Sequence, residues 1–68
     1  MIVMVNGERR EVPSSATVAS VIELLNVGHG ARGVAVALDG EVVTRARWPQ
    51  TELQDGARIE IVAAIQGG

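Results

Sequence analysis

Apolar residues fall along the chain in short blocks of two different periods. Residues 1–5 form an unbroken run of strand-forming side chains, followed at once by Asn6-Gly7. Asn-Gly suits a two-residue type I′ hairpin turn, because both central residues need φ > 0. A return strand over residues 8–12 is therefore predicted, in which Val12 is the one apolar residue. Glu8, Arg9, Arg10 and Glu11 suit a sheet edge, where charge discourages pairing with a second chain. Pro13, with no N–H for a ladder, ends that strand. From Thr17 the period changes. Val18, Val21, Ile22 and Leu25 stand at i, i+3, i+4 and i+7, one face of a helix, with Thr17 as its N-cap and Asn26 as its exit. Residues 27–33 contain three glycines and read as a loop.

The second half returns to period two. Val34, Val36 and Leu38 alternate with Ala35 and Ala37, giving a strand with one bulky and one small face. Asp39-Gly40 is a second hairpin signal, with a short return strand over 41–44. Residues 45–53 mix polarities around Pro49, which argues against a regular strand there. Asp55-Gly56 marks a third turn. Residues 57–65 read as the longest strand, with Ile59, Ile61 and Ile65 on one face and Arg58, Glu60, Val62 and Ala64 on the other. Gln66-Gly67-Gly68 follows with nothing to pack. The order is ββαββ with an irregular connection before the final strand: an α+β roll in which a mixed sheet of four to five strands packs one face on a single helix and leaves the other open. The expected division is a folded domain over 1–65 and a flexible tail over 66–68.

Composition narrows the chemistry. Sixty-eight residues, 47% hydrophobic and 21% charged, make one small globular domain. There is no cysteine and one histidine, His29, so thiolate metal sites, disulfides, a cysteine nucleophile and a multi-histidine metal site are excluded. A net charge of −2 leaves no basic surplus for nucleic acid. No apolar run exceeds five residues, too short to span a bilayer. No basic stretch precedes the first apolar run, so a signal peptide is not expected and the cytoplasm is the predicted location. No lysine is present to accept an isopeptide bond. Eleven valines and five isoleucines bias the chain toward strands. With Trp48 as the only aromatic residue the core is small, and an enclosed pocket would hollow it out. An autonomous enzyme is not expected.

Candidate chemistry lies in the tail. Glycine has no side chain, so Gln66, Gly67 and Gly68 can thread a narrow channel in a partner along whatever path it demands. The Gly68 carboxylate, unhindered by a β-carbon, suits activation and transfer. Elsewhere the signals are weaker. Gly28-x-Gly30-x-x-Gly33 has dinucleotide-binding spacing but follows a helix and precedes a strand, the reverse of the required context. His29 has no identifiable partner for acid–base work and reads as solvated. Trp48 reads as a lid on a satellite cluster rather than a partner anchor, and Arg45 and Arg47 as a solvated edge. Alternation places Ile2 and Met4 on the open sheet face with Val62 and Ala64 beside them, an apolar patch leading to the tail and a candidate partner interface.

Several segments together resemble the sulfur carrier family of thiamine biosynthesis, small ubiquitin-like proteins of the β-grasp fold. They are Val5-Asn6-Gly7-Glu8, Thr17-Val18, the VAVALDGEVV stretch over 34–43, Arg45 with Trp48, the ELQDG of 52–56, and the IEIV…QGG of 59–68. Asp39, Thr44 and Ala57 stand where that family often has Asn, Pro and an acidic residue, and none touches the tail. The resemblance implies first and last strands side by side at the sheet centre. It also implies a carrier rather than a catalyst, one that binds no cofactor itself. An adenylyltransferase resembling ubiquitin-activating enzymes would use ATP and Mg²⁺ to adenylate Gly68. Sulfur from a persulfide donor would convert it to a thiocarboxylate, and thiazole synthase would take that sulfur. The tail alone is equally that of the small subunit of molybdopterin synthase or of a ubiquitin-like protein modifier, and a plain interaction module with an incidental tail is the other alternative.

Overall fold

The computed structural model describes residues 1–25 and 31–65, with the backbone alone for 31, 32 and 63–65. Its elements follow in the order β1 (Ile2–Val5), β2 (Glu8–Glu11), α1 (Val18–Leu24), β3 (Ala31–Leu38), β4 (Glu41–Val43), a 3₁₀ helix (Arg45–Gln50) and β5 (Arg58–Ile65). The five strands form one sheet in the order β2-β1-β5-β3-β4. β1–β2, β3–β4 and β3–β5 are antiparallel, and β1–β5 is parallel. A parallel pair cannot be closed by a tight turn and needs a long connection; here that connection contains α1.

Both hairpin turns form where the dipeptides place them. Asn6 and Gly7 have φ of 51° and 84°, and Asp39 and Gly40 have 49° and 89°, the positive values a type I′ turn requires. β2 is exposed at every residue and occupies an edge, as its charge pattern predicts. The Arg10–Glu8 ion pair within it, at 3.4 Å and solvent-exposed, contributes little to stability.

α1 has seven residues, too few to be stable by itself. Its start is fixed by side chains and by a distant segment. Thr17 Oγ1 accepts the Ser20 N–H at 3.2 Å, and Ser20 Oγ accepts the Thr17 N–H at 2.8 Å, a reciprocal capping arrangement. The Val18 N–H donates to the Thr51 carbonyl and the Leu53 N–H to the Ala16 carbonyl, both at 3.0 Å. The chain leaving the 3₁₀ helix thus satisfies a backbone donor that a helix start otherwise leaves free. Val18 and Val21 are buried, and Ile22 and Leu25 pack partly buried beside them, the stripe read from the periodicity.

A single buried cluster unites Val3 and Val5 of β1, Val36 of β3 and Ile59 and Ile61 of β5 with Val18 and Val21 of α1. Val12, Ala16, Trp48, Leu53 and Ala57 complete it. Trp48 therefore belongs to the main core and is not a lid on a separate cluster. The 3₁₀ turn brings its ring inward, and the indole N–H donates to the Val43 carbonyl at 2.9 Å, which settles its one polar atom. Arg45 lies over the ring at 5.1 Å from the centroid, within cation–π range.

β3 also departs from expectation. It begins at Ala31, inside the stretch read as a loop. Its ladder with β5 continues through Gly33 opposite Ala64 and Ala31 opposite Ile65, with an irregularity between Ala31 and Gly33. The extra residue of that irregularity is Arg32, and Gly33, paired with Ala64, stays within the ladder without ending the strand.

Burial separates the two faces energetically. Ile59→Ala, at a site 1% exposed, should cost about 2–5 kcal/mol, a large share of the margin of a small domain. Val62→Ala, on the open face of the same strand, should change stability by no more than about 0.5 kcal/mol. Urea titrations of the two variants measure this contrast, and equal losses would contradict the assigned faces.

Candidate functional site

β5 carries the chain toward Gly68, so the candidate site is built on it. Ile59 and Ile61 point into the core, while Arg58, Glu60 and Val62 point outward, with Val62 67% exposed. Val3 and Val5 are buried, and Ile2 and Met4 lie half-buried on the opposite face. The assignment of faces by alternation therefore holds for Ile2, Met4 and Val62. The backbone of Ala64 pairs with Gly33, and its side chain is outside the described residues. Gln66, Gly67 and Gly68, and likewise His29, lie outside them altogether.

The expected adjacency does not hold. β1 and β5 pair through Met4 opposite Arg58 and Val5 opposite Ile59. Val62 is thus four residues further along β5 than the partner of Met4, about 13 Å at the rise of a strand. Ile2 and Met4 share a face with Val62 but do not lie beside it. Their neighbours across the sheet are charged: Glu11 stands opposite Ile2, with Arg9 and Arg58 on either side of Met4. The reason is length. β1 stops at the Asn6-Gly7 turn while β5 runs on, so only β3 accompanies its second half.

What adjoins Val62 is Ala35, its direct partner on β3. Ala37 comes next along β3, paired with Glu60 on one side and with Val42 of β4 on the other. Val42 is 78% exposed. Val62, Ala35, Ala37 and Val42 thus form an apolar strip across β5, β3 and β4. Small alanines between two exposed valines make it shallow and accessible. The sequence reading assigned Val42 no face, though a signal existed. A two-residue turn at Asp39-Gly40 sets Leu38 opposite Glu41 and therefore Ala37 opposite Val42.

The turn residues hold β5 in place by a means the sequence reading missed. The Asn6 N–H donates to the Ile59 carbonyl at 2.9 Å. Its side-chain Oδ1 accepts the Ile61 N–H at 2.8 Å, and its Nδ2 donates to the Ile61 carbonyl at 3.1 Å. Where β1 has ended, one carboxamide thus takes the place of another peptide group. On the other edge of β5, Asp39 donates its N–H to the Arg58 carbonyl at 2.8 Å and accepts the Arg58 N–H on Oδ1 at 3.0 Å. Asp55 secures β1 in the same way: its Oδ1 accepts the Ile2 N–H at 2.8 Å, while the Gly56 N–H donates to the Ile2 carbonyl at 2.7 Å.

Among the described residues no polar or charged side chain is buried, and no three His, Cys, Asp or Glu side chains are grouped to hold a metal ion. None of their helices is long and apolar enough to cross a membrane. Arg45 and Arg47 are exposed, as expected, with Arg45 additionally stacked on Trp48. Within these residues the open sheet face presents the accessible apolar strip, and an open cleft lies between the Asn6-Gly7 and Asp39-Gly40 turns, lined also by Met4, Arg58 and Glu60.

A mixed sheet with its first and last strands adjacent and parallel, crossed on one face by a helix, is the ubiquitin-like β-grasp fold. The ThiS family model matches residues 3–68, and the chain belongs to the ThiS family. It is 38% identical over 66 residues to the sulfur carrier protein ThiS of Thermus thermophilus, covering 97% of this chain and 98% of that protein. It is also 38% identical over 68 residues to a thiazole synthase of Paramagnetospirillum magneticum, where the whole chain corresponds to 20% of the relative's length. The crystal structure of the thiamine biosynthesis protein ThiS of Geobacter metallireducens superposes with a TM-score of 0.82 at 33% identity, each chain covering 100% of the other.

The carboxamide clamp is testable apart from the turn. Asn6→Gly keeps a residue that accepts positive φ but deletes both side-chain bonds to Ile61. It should lower stability by about 1–3 kcal/mol, read from the urea midpoint, and an unchanged midpoint would show that the clamp carries no free energy.

Proposed function

We propose that this chain is a sulfur carrier serving formation of the thiazole ring of thiamine, with Gly68 as the loading point. One observation supports this above the others: the ThiS family match runs through Gly67 and Gly68, and the chain and the Thermus sulfur carrier correspond over nearly their full lengths. The correspondence between the whole chain and a fifth of a thiazole synthase supports thiazole synthase as the enzyme that receives the sulfur.

The chemistry follows from the carboxylate. Its oxygen is a poor leaving group, so a partner adenylyltransferase resembling ubiquitin-activating enzymes uses ATP and Mg²⁺ to form the Gly68 acyl-adenylate and release pyrophosphate. The terminal sulfur of a donor persulfide attacks the acyl carbon and AMP departs. A thiol then cleaves the sulfur–sulfur bond, leaving a thiocarboxylate on Gly68 and a disulfide on the donor side. The thiocarboxylate sulfur is a stronger nucleophile than the oxygen it replaces. In this scheme the chain binds no cofactor and supplies no catalytic group. It contributes the acyl group and the docking surface.

The docking surface is the open face. Val62, Ala35, Ala37 and Val42 form its continuous part, which crosses from β4 through β3 to β5, the strand leading to the tail. Met4 and Ile2 offer a second, smaller contact ringed by charge, and Ala64 extends β5 toward Gln66. The glycines then pass into the partner's active site, where any side chain would obstruct the path.

Incubation with the activating enzyme, ATP, Mg²⁺ and a persulfide donor should add to the intact chain the mass gained on replacing one oxygen by sulfur. A chain lacking Gly68 should gain nothing. High-mass conjugates in place of that gain would identify a protein modifier. Val62→Asp and Val42→Lys should each slow adenylation roughly tenfold, as loss of a well-buried interface contact does, with urea midpoints unchanged. Normal adenylation in both would remove the strip from the interface.

A further inference from the structure

The three turns share a chemical property that sulfur transfer does not use. Asn6-Gly7, Asp39-Gly40 and Asp55-Gly56 each set a carboxamide or carboxyl side chain immediately before glycine. In that pairing the next backbone nitrogen can attack the side-chain carbonyl carbon without hindrance from a Cβ. In all three, Oδ1 is engaged by a strand N–H: Ile61 for Asn6, Arg58 for Asp39 and Ile2 for Asp55. Asn6 differs in two respects. Its side chain carries a nitrogen that can depart as ammonia, and it is held at both ends, with Nδ2 also donating to the Ile61 carbonyl. Asn6 and Gly7 are both exposed, and a Cβ built on Gly7 would meet nothing within 4 Å. Water reaches the turn freely, so burial does not shield it, and restraint falls to the two side-chain bonds.

We infer that Asn6-Gly7 is a site of spontaneous deamidation that the bonds to Ile61 hold unreactive. When they open, the Gly7 backbone nitrogen loses its proton and bonds to Cγ of Asn6. The Cγ–Nδ2 bond breaks, and the side-chain nitrogen leaves as ammonia. Water then adds to either carbonyl of the resulting succinimide, and the ring C–N bond opens. The product is aspartate at position 6, or its isomer with the main chain routed through the side-chain carboxyl. At neutral pH neither ionised product can donate to the Ile61 carbonyl, and the isomer lengthens the turn by one backbone atom. The clamp closes less well after reaction than before, so the change is self-maintaining.

The test is to incubate the full chain at neutral pH, folded and in urea beyond its unfolding midpoint. Peptide mapping then scores aspartate and isoaspartate at position 6 separately from Asn26, the chain's other asparagine. Two hydrogen bonds to be broken predict a rate at least roughly tenfold slower in the folded chain. Equal rates would overturn the inference. Asn6→Asp, which reproduces one product, keeps an oxygen for the Ile61 N–H but cannot donate to the Ile61 carbonyl, and should lower the urea midpoint relative to the unaltered chain. An unchanged midpoint would refute the claimed weakening of the clamp.

Discussion

The structure depends on holding β5 from both sides. Its antiparallel edge with β3 runs along nearly all its length, but its parallel edge with β1 consists of two residue pairs. That short junction joins the two hairpins into one sheet, and the helix can bridge them only once they are joined. Asn6 and Asp55 reinforce it by lending side-chain atoms to backbone groups at either end of β1, and Asp39 does the same on the opposite edge of β5. Ile59, 1% exposed, sits in the middle of this arrangement. Its burial is both the result of the junction and a main reason for it, since apolar contact drives the packing that short ladders cannot supply.

Which parts of this were legible in the sequence follows from how locally each is determined. The turns at Asn6-Gly7 and Asp39-Gly40, the cap at Thr17, the stripe Val18/Val21/Ile22/Leu25 and the charged edge strand are set by residues a few positions apart. Each was read from them, and the family resemblance implied the adjacency of first and last strands. The register of β1 on β5 escaped because no turn joins those strands. Alternation gives a face but not a position along it, so Ile2 and Met4 were set beside Val62 when four residues separate them. Gly33 reads locally as part of a loop, because its place in the ladder is set by Ala64, far along the chain. The place of Trp48 is not legible from its neighbours alone: its ring is set by the core it joins, where the Val43 carbonyl accepts its indole N–H. Asn6 was chosen correctly for its backbone angle, but its second role needs Ile61, across the sheet.

The division of the sheet into two faces also divides its tasks. Inward positions are filled mainly by valine and isoleucine, whose branched side chains fit a pleated surface, with Leu38 beside Ile59, and none of the described residues buries a polar or charged side chain. Among the described residues the outward positions on β3 are Gly33, Ala35 and Ala37, and the larger apolar groups of that face stand on the strands beside it. A partner can therefore approach close to the backbone between Val62 and Val42 without displacing bulky side chains. Those two valines are exposed, so substitutions there leave the interior packing intact.

The strand order has a consequence for synthesis. β1 leaves the ribosome well before β5, its parallel neighbour in the finished sheet. In the interval the first hairpin can form but has nothing against which to close Val3 and Val5. Final assembly of this domain must wait for β5, and until β5 emerges the nascent chain carries an uncovered apolar strand. The four charged residues of β2 lie alongside that strand throughout the wait and guard one flank of it against premature association with other chains.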